Sequence, residues 1–209
     1  MQDDLVLQQP TQPQQLVLLF HGVGSSASDL APLGRTLAPH MPDALIVSVQ
    51  APDAQGSGWQ WFSVQGVTEV NRPARLAATM PRFVQAVRDW QQASGVDSAR
   101  TTLIGFSQGA IMVLESTQLD SPLAGRVFAL AGRFAQPPRL APMTTLVHLM
   151  HGDADPMMPL RMAVDALGQL RALGGQATLD RLPGLGHGID ARVQDAIVVR
   201  LRGAQSRAD

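Results

Sequence analysis

The sequence predicts an α/β fold in which a mostly parallel, twisted sheet carries helices on both faces. Several apolar runs of strand length, such as QLVLLF at 15–20, lack polar alternation, which is typical of strands buried on both faces. Helical patterns separate these runs, and the longest covers residues 74–94. No repeat or linker divides the 209 residues, and that length suits one domain with a sizeable core.

The elements alternate along the chain. Strands are predicted at 15–20, 44–49, 101–106, 126–131, 145–150 and 177–182. Helices are predicted from Ser28 or Asp29 to 38, and at 74–94, 110–114, 159–173 and 189–201. Residues 50–73 form a long loop, and loops of that length inside compact domains usually have a function. The domain therefore covers 15–209, preceded by a Gln- and Pro-rich extension over 1–14 that need not be well ordered.

Composition excludes several classes of function. The net charge is −1 and the arginines are scattered, so neither a nucleic acid nor an anionic membrane is an expected partner. Cysteine is absent, which rules out a disulfide framework, a thiol nucleophile and a thiolate metal site. The acidic N-terminus is unlike a secretory signal, and the apolar runs are far shorter than a membrane span. We therefore expect a cytoplasmic protein without membrane insertion.

A nucleophile is predicted at Ser107, within the segment Gly105–Gly109 (GFSQG). The segment follows a predicted strand and opens a helix, which is the context that a G-x-S-x-G nucleophile elbow requires. A side chain at either glycine would collide with neighbouring backbone in so tight a turn. The alternative is a glycine-rich turn with a surface serine.

A serine hydroxyl needs a neighbouring base, and five histidines are available. His40 is expected on the surface, and His148 inside a strand is expected in the core. His21 and His151 open turns on strands that come too early to supply a late base. His187 follows the last strand on a loop flanked by glycines, and we predict it as the general base.

A serine and a histidine that act together in this way need a third residue, a buried acid that orients the imidazole. Asp153 and Asp155 both follow the fifth strand. Asp155, before Pro156, is predicted as this acid, whereas Asp153 is expected to fix the turn through hydrogen bonds to the backbone.

Backbone N–H groups are predicted to stabilise the negative charge that develops on a substrate carbonyl oxygen. One is that of Gln108 at the start of the helix, and the second is that of Val23 in the glycine-rich turn after the first strand. Each such donor is typically worth about 3–4 kcal/mol in the barrier.

Four motifs together resemble the carboxylesterase/phospholipase family of α/β-hydrolases, which includes bacterial carboxylesterases and acyl-protein thioesterases. They are HGVGS at 21–25, GFSQG at 105–109, HGDADPMMP at 151–159 and GHG at 186–188. The resemblance covers nearly the whole chain past residue 15, and the order serine, aspartate, histidine is that of α/β-hydrolases. It implies a single-domain α/β-hydrolase with Ser107, Asp155 and His187 as the triad. The sequence departs from the family pattern beside the base, where Leu185 and Gly188 replace the usual residues.

The expected substrate is a small ester or thioester with a short or medium acyl chain. The segment at 58–62 resembles the Trp-Phe segment near the acyl site of these enzymes. Five loop residues either line this site or anchor the long loop: Trp59, Trp61, Phe62, Met157 and Met158. Residues 132–144 are too few for a helical lid, so an open site without a lid is expected.

Two alternatives stay open, a serine peptidase of the same fold and a catalytically inactive binding domain. Neither a metal site nor a nucleotide fingerprint is evident, so no cofactor is predicted. The sequence leaves open whether the protein is a monomer or a homodimer.

Overall fold

The computed structural model describes residues 3–205, and the side chains of residues 3–202. The strands are β1 (Leu5–Gln8), β2 (Gln15–Phe20), β3 (Ala44–Val49), β4 (Asp53–Gln55), β5 (Gly58–Gln60), β6 (Thr101–Phe106), β7 (Arg126–Leu130), β8 (Leu146–Gly152) and β9 (Ala177–Leu182). The helices are α1 (Ala31–Leu37), α2 (Arg72–Ser94), α3 (Gln108–Ser116), α4 (Arg161–Ala172) and α5 (Ala191–Gln205).

The main sheet has seven strands in the order β1-β3-β2-β6-β7-β8-β9. β1 pairs antiparallel with β3, and every other pair in this sheet is parallel. The predicted fold class is confirmed, and the six predicted strands lie within one or two residues of their expected ends.

Helices cover both faces of the sheet. One core cluster contains residues of α2, α3 and α4, and the other contains residues of α1 and α5. Strands β2 and β3 are buried along nearly their whole length, since alternate side chains face the two clusters. The carboxyl ends of the parallel strands consequently share one edge, where ligands bind in sheets of this kind.

Part of the N-terminal extension belongs to the main sheet. Residues 5–8 form β1, with Leu5 opposite Ser48 at the edge of the sheet. Before the strand, the Asp4 carboxylate accepts hydrogen bonds from Gln50 N–H (2.9 Å) and Trp90 Nε1–H (2.7 Å). A strand of four residues followed by prolines lacks the long apolar run that marks the central strands.

The long loop predicted for 50–73 is more structured than expected. β4 and β5 form a small hairpin within it, and α2 begins at Arg72. α2 ends as predicted at Gly95, whose φ of 70° lies in the left-handed region that favours glycine. All of residues 131–145 are described and none is helical, so the connection after β7 contains no helical lid. In the described part of the chain, no helix is both long and apolar enough to cross a membrane.

His148 lies in the core, as predicted, with 7% of its surface exposed. Its Nδ1 is 2.8 Å from Thr178 Oγ1, and its ring lies 4.7 Å from that of Phe128. Burial, together with the positive charges of Arg126 and Arg200, lowers the pKa of His148 from 6.5 to about 4. The imidazole is therefore neutral at pH 7.

Acid should destabilise the protein through His148. In the unfolded chain this histidine takes up a proton below pH 6.5, which the folded chain resists until about pH 4. Stability is therefore retained above pH 6.5 and lost as the pH falls toward 4. When the pH falls from 7 to 5, the free energy of unfolding of the wild type should decrease by about 2 kcal/mol more than that of His148→Gln. Urea denaturation of both proteins at the two pH values measures this difference.

Candidate active site

Ser107 occupies the sharp turn between β6 and α3. Its backbone has φ 52° and ψ −112°, outside the regions that side-chain-bearing residues usually adopt. A Cβ on Gly105 would lie 2.3 Å from Gly109 O, and a Cβ on Gly109 would lie 2.0 Å from Phe20 O. The bend therefore requires glycine at both positions. Ser107 N–H donates to Leu130 O (2.9 Å), which attaches the turn to the neighbouring strand.

The three predicted triad residues lie in one hydrogen-bonded chain. Ser107 Oγ is 2.9 Å from His187 Nε2, and His187 Nδ1 is 2.7 Å from Asp155 Oδ2. A carboxylate can only accept, so Nδ1 carries the proton of the neutral imidazole. Nε2 is then free to accept the hydroxyl proton of Ser107. The His187 ring also lies 5.1 Å from the Phe106 ring, a contact that the sequence did not reveal.

Asp155 is held as a charged acceptor. Burial by itself raises the pKa of the carboxyl, but hydrogen bonds from Met158 N–H, His187 and Met157 N–H outweigh burial and bring the pKa below its ordinary value. The two backbone donors lie 2.9 Å (Met158) and 2.8 Å (Met157) from Oδ1, which leaves Oδ2 for the imidazole. Nearby, His151 Nε2 lies 2.6 Å from Met158 O and holds the same turn.

The loop that carries His187 is attached to the turn that carries Asp155. Asp153 Oδ1 accepts from Gly184 N–H (2.7 Å), and Ala154 N–H donates to Leu185 O (3.1 Å). A Cβ on Gly152 would lie 2.1 Å from Leu185 O, so the loop and the turn are in close contact. Asp153 therefore attaches the loop of His187 to this turn through Gly184, whereas the sequence predicted that it would fix its own turn.

The glycine-rich turn after β2 lies directly against Ser107. A Cβ on Gly22 would be 3.2 Å from Ser107 Cβ. Within residues 3–205, the N–H groups of Val23 and Gln108 donate to no protein acceptor. Neither N–H group is thus occupied by a bond within the described part of the chain.

His21, which opens this turn, is buried and has a structural role. Its Nδ1–H donates to Gly22 O (2.7 Å), and its Nε2 accepts from Ala51 N–H (3.0 Å). Burial lowers the pKa of His21, although the bond to Gly22 opposes this shift. The imidazole is therefore neutral and is not available as a base.

The five residues predicted to line the acyl site or anchor the loop occupy different environments. Trp61 and Phe62 are buried in the core, with 2% and 4% of their surfaces exposed, which is the anchoring position. Trp59 and Met158 are half-buried against the same core cluster. Met157 is 72% exposed beside the Asp155 turn.

A metal site is not evident among the described residues, because no three histidine, cysteine, aspartate or glutamate side chains are grouped to hold an ion. His148 and His151, which are close in sequence, bond instead to Thr178 Oγ1 and Met158 O.

The parallel sheet, the strained serine and the Ser-His-Asp arrangement define a class of protein, the α/β-hydrolases with a serine nucleophile. Comparison with known families agrees, since the family model described as Phospholipase/Carboxylesterase matches residues 1–201. The chain belongs to this family and is a hydrolase of the carboxylesterase type.

Individual relatives support the assignment. The chain is 50% identical over 203 residues to Esterase YpfH of Escherichia coli (strain K12), covering 96% of this chain and 88% of that protein. It is 28% identical over 174 residues to acyl-protein thioesterase 1 of Kluyveromyces lactis, covering 73% and 75% of the two chains. The crystal structure of esterase PE8 superimposes with a TM-score of 0.84 at 32% identity, covering 92% of this chain and 93% of the other.

Gly109→Ala should strongly destabilise the fold, because the new methyl would lie 2.0 Å from the Phe20 carbonyl oxygen. We expect a loss of about 3 kcal/mol or more in thermal or urea unfolding. Gly168→Ala is the matched control, since it lies inside α4 and the added methyl would meet no atom within 4 Å beyond the backbone of its own helix and its chain neighbours. It should stabilise by about 0.5–1 kcal/mol through helix propensity. Equal stability of the two variants would contradict the steric argument.

Proposed function

We propose that Ser107, His187 and Asp155 form the catalytic triad of an esterase that also accepts thioesters and works through an acyl-enzyme. The continuous hydrogen-bonded chain from Ser107 Oγ through the imidazole to the Asp155 carboxylate carries this proposal. Membership of the carboxylesterase family supports the same chemistry.

In the first half-reaction, Ser107 Oγ attacks the carbonyl carbon while its proton moves to His187 Nε2. The imidazolium is stabilised by Asp155, whose carboxylate is already ionised. The tetrahedral intermediate collapses as Nε2–H protonates the leaving alcohol or thiol, leaving an ester on Ser107. Water then repeats the sequence with the same base, releasing the acid and restoring the hydroxyl.

The negative charge of each tetrahedral intermediate would be accepted by the N–H groups of Val23 and Gln108. Helix α3 starts at Gln108, so its dipole adds positive potential at the same point. Removing one such donor typically costs about 100- to 1000-fold in kcat.

The substrate class follows from the surroundings of Ser107. The connection between β7 and β8 forms no helical lid, which favours an ester in solution over bulk lipid as the substrate. We propose that the substrate has a short or medium acyl chain. Met157 and Met158, the apolar side chains beside the proposed catalytic acid, would contact this chain. The cytoplasmic location stays a prediction, and the choice between monomer and homodimer stays open.

Ser107→Ala tests the proposal at its centre. Wild-type protein should take up one equivalent of a fluorophosphonate probe and hydrolyse p-nitrophenyl butyrate. The alanine variant should do neither, with kcat reduced at least about 10⁴-fold. Intact-protein mass spectrometry and steady-state kinetics measure the two results. If the probe does not label the wild-type protein, the esterase proposal is wrong and a binding domain is favoured.

Substitution of Asp155 should lower kcat far more than substitution of Asp153. Asp155→Asn removes the acceptor that fixes the imidazole tautomer and should lower kcat by about 10⁴-fold. Asp153→Asn keeps an oxygen for Gly184 N–H and leaves the imidazole untouched, so kcat should fall by less than about 10-fold. If the two variants lose similar activity in the same assay, Asp155 is not the specific orienting acid.

A further inference from the structure

The segment 59–62, which we call the brace, bonds to the two parts of the chain that carry the backbone donors proposed for the oxyanion hole. On one side it bonds to the turn that contains Val23, and on the other side to the side chain of Gln108. Trp61, near its centre, is buried in the core.

The first side of the brace is a short backbone ladder. Gly24 N–H donates to Trp59 O (2.8 Å), and Trp59 N–H donates to Ser25 O (2.8 Å). A Cβ on Gly58 would lie 2.2 Å from Gly24 O, so the two backbones approach as closely as glycine permits. In addition, Trp61 Nε1–H donates to His21 O (3.0 Å). The Val23 turn is thus bonded to the brace on both sides of Val23.

The second side of the brace is the amide of Gln108. Its Oε1 accepts from Trp61 N–H (2.7 Å), and its Nε2 donates to Phe62 O (2.7 Å). Gln108 is 2% exposed, so these bonds are shielded from water. One residue therefore supplies a proposed oxyanion donor from its backbone and a two-point attachment from its side chain.

We propose that the Gln108 side chain, acting through the brace, is a positioning group that sets the separation of the Val23 and Gln108 N–H donors. This inference rests on the proposed esterase function. The two donors come from different elements, the β2 turn and α3, and the brace bonds to both. Oxyanion donors work only when held at hydrogen-bonding distance from the developing charge, and an error of about 1 Å can cost about 100-fold in rate.

The test is Gln108→Met, which keeps the volume of the side chain and removes both of its bonds. With p-nitrophenyl butyrate, kcat should fall about 10- to 100-fold while KM changes less than about 3-fold. A trifluoromethyl ketone, whose hemiketal oxygen occupies the oxyanion hole, should bind more weakly by a similar factor. Fluorophosphonate titration should still reach one equivalent, which shows that Ser107 remains reactive in folded protein.

Gln118→Met is the matched control. Gln118 lies beyond the other end of α3, and its Oε1 likewise accepts from loop backbone, the N–H groups of Arg139 (2.7 Å) and Leu140 (2.9 Å). This variant should lose stability without losing kcat or inhibitor affinity. If Gln108→Met matches it in kcat, the inference is overturned and the esterase proposal stands. A wild type that neither hydrolyses the ester nor labels overturns both.

Trp61→Phe is a second variant that tests the same element if Gln108→Met does not fold. It retains an aromatic ring between Phe20 and Phe83 but removes the bond to His21 O. A fall in kcat of about 3- to 30-fold with little change in KM is expected. Unchanged kcat and inhibitor affinity in this variant would argue against a brace.

Discussion

The close contact between the backbone of Gly109 and the carbonyl of Phe20 is the constraint on which the site depends. It brings the start of α3 against the end of β2, with no side chain between them. This close approach allows the backbone of Ser107 to adopt a φ of 52°, which places the hydroxyl at the edge of the sheet. Strained backbone of this kind costs about 1–3 kcal/mol, which the buried strands and helix on either side offset. The same approach places the glycine-rich turn beside the nucleophile.

The site is built from two hydrogen-bonded units. One contains Ser107, the turn after β2 and the brace, and the other contains Asp155 and the His187 loop. Within each unit the bonds are numerous and include backbone groups, so its members keep their mutual positions. The two units meet at the Ser107–His187 hydrogen bond and at the contact of Phe106 with the imidazole. A single hydroxyl-to-imidazole distance therefore depends on how the two units pack on the sheet.

Local signals in the sequence were enough to predict six of the seven strands of the main sheet and the three residues that meet at its edge. Buried strands are marked by unbroken apolar runs, and chemically capable residues directly after them must converge because parallel strands end together. β1 was missed because a short edge strand has no such run. The amide of Gln108 was missed because its partners lie 46 and 47 residues away, and pairing over that distance leaves no local pattern.

The histidines show why residue type alone could not identify the base. His21 and His151 also lie at the ends of strands on the catalytic edge, yet both use ring nitrogens on backbone groups. His148 is neutral within the sheet because burial and nearby arginines oppose its charge. His187 differs in having one nitrogen on the Asp155 carboxylate and the other on a hydroxyl. A base must both receive a proton and be stabilised once charged. That pair of partners, and not proximity to the strand ends, therefore separates His187 from His21, His148 and His151.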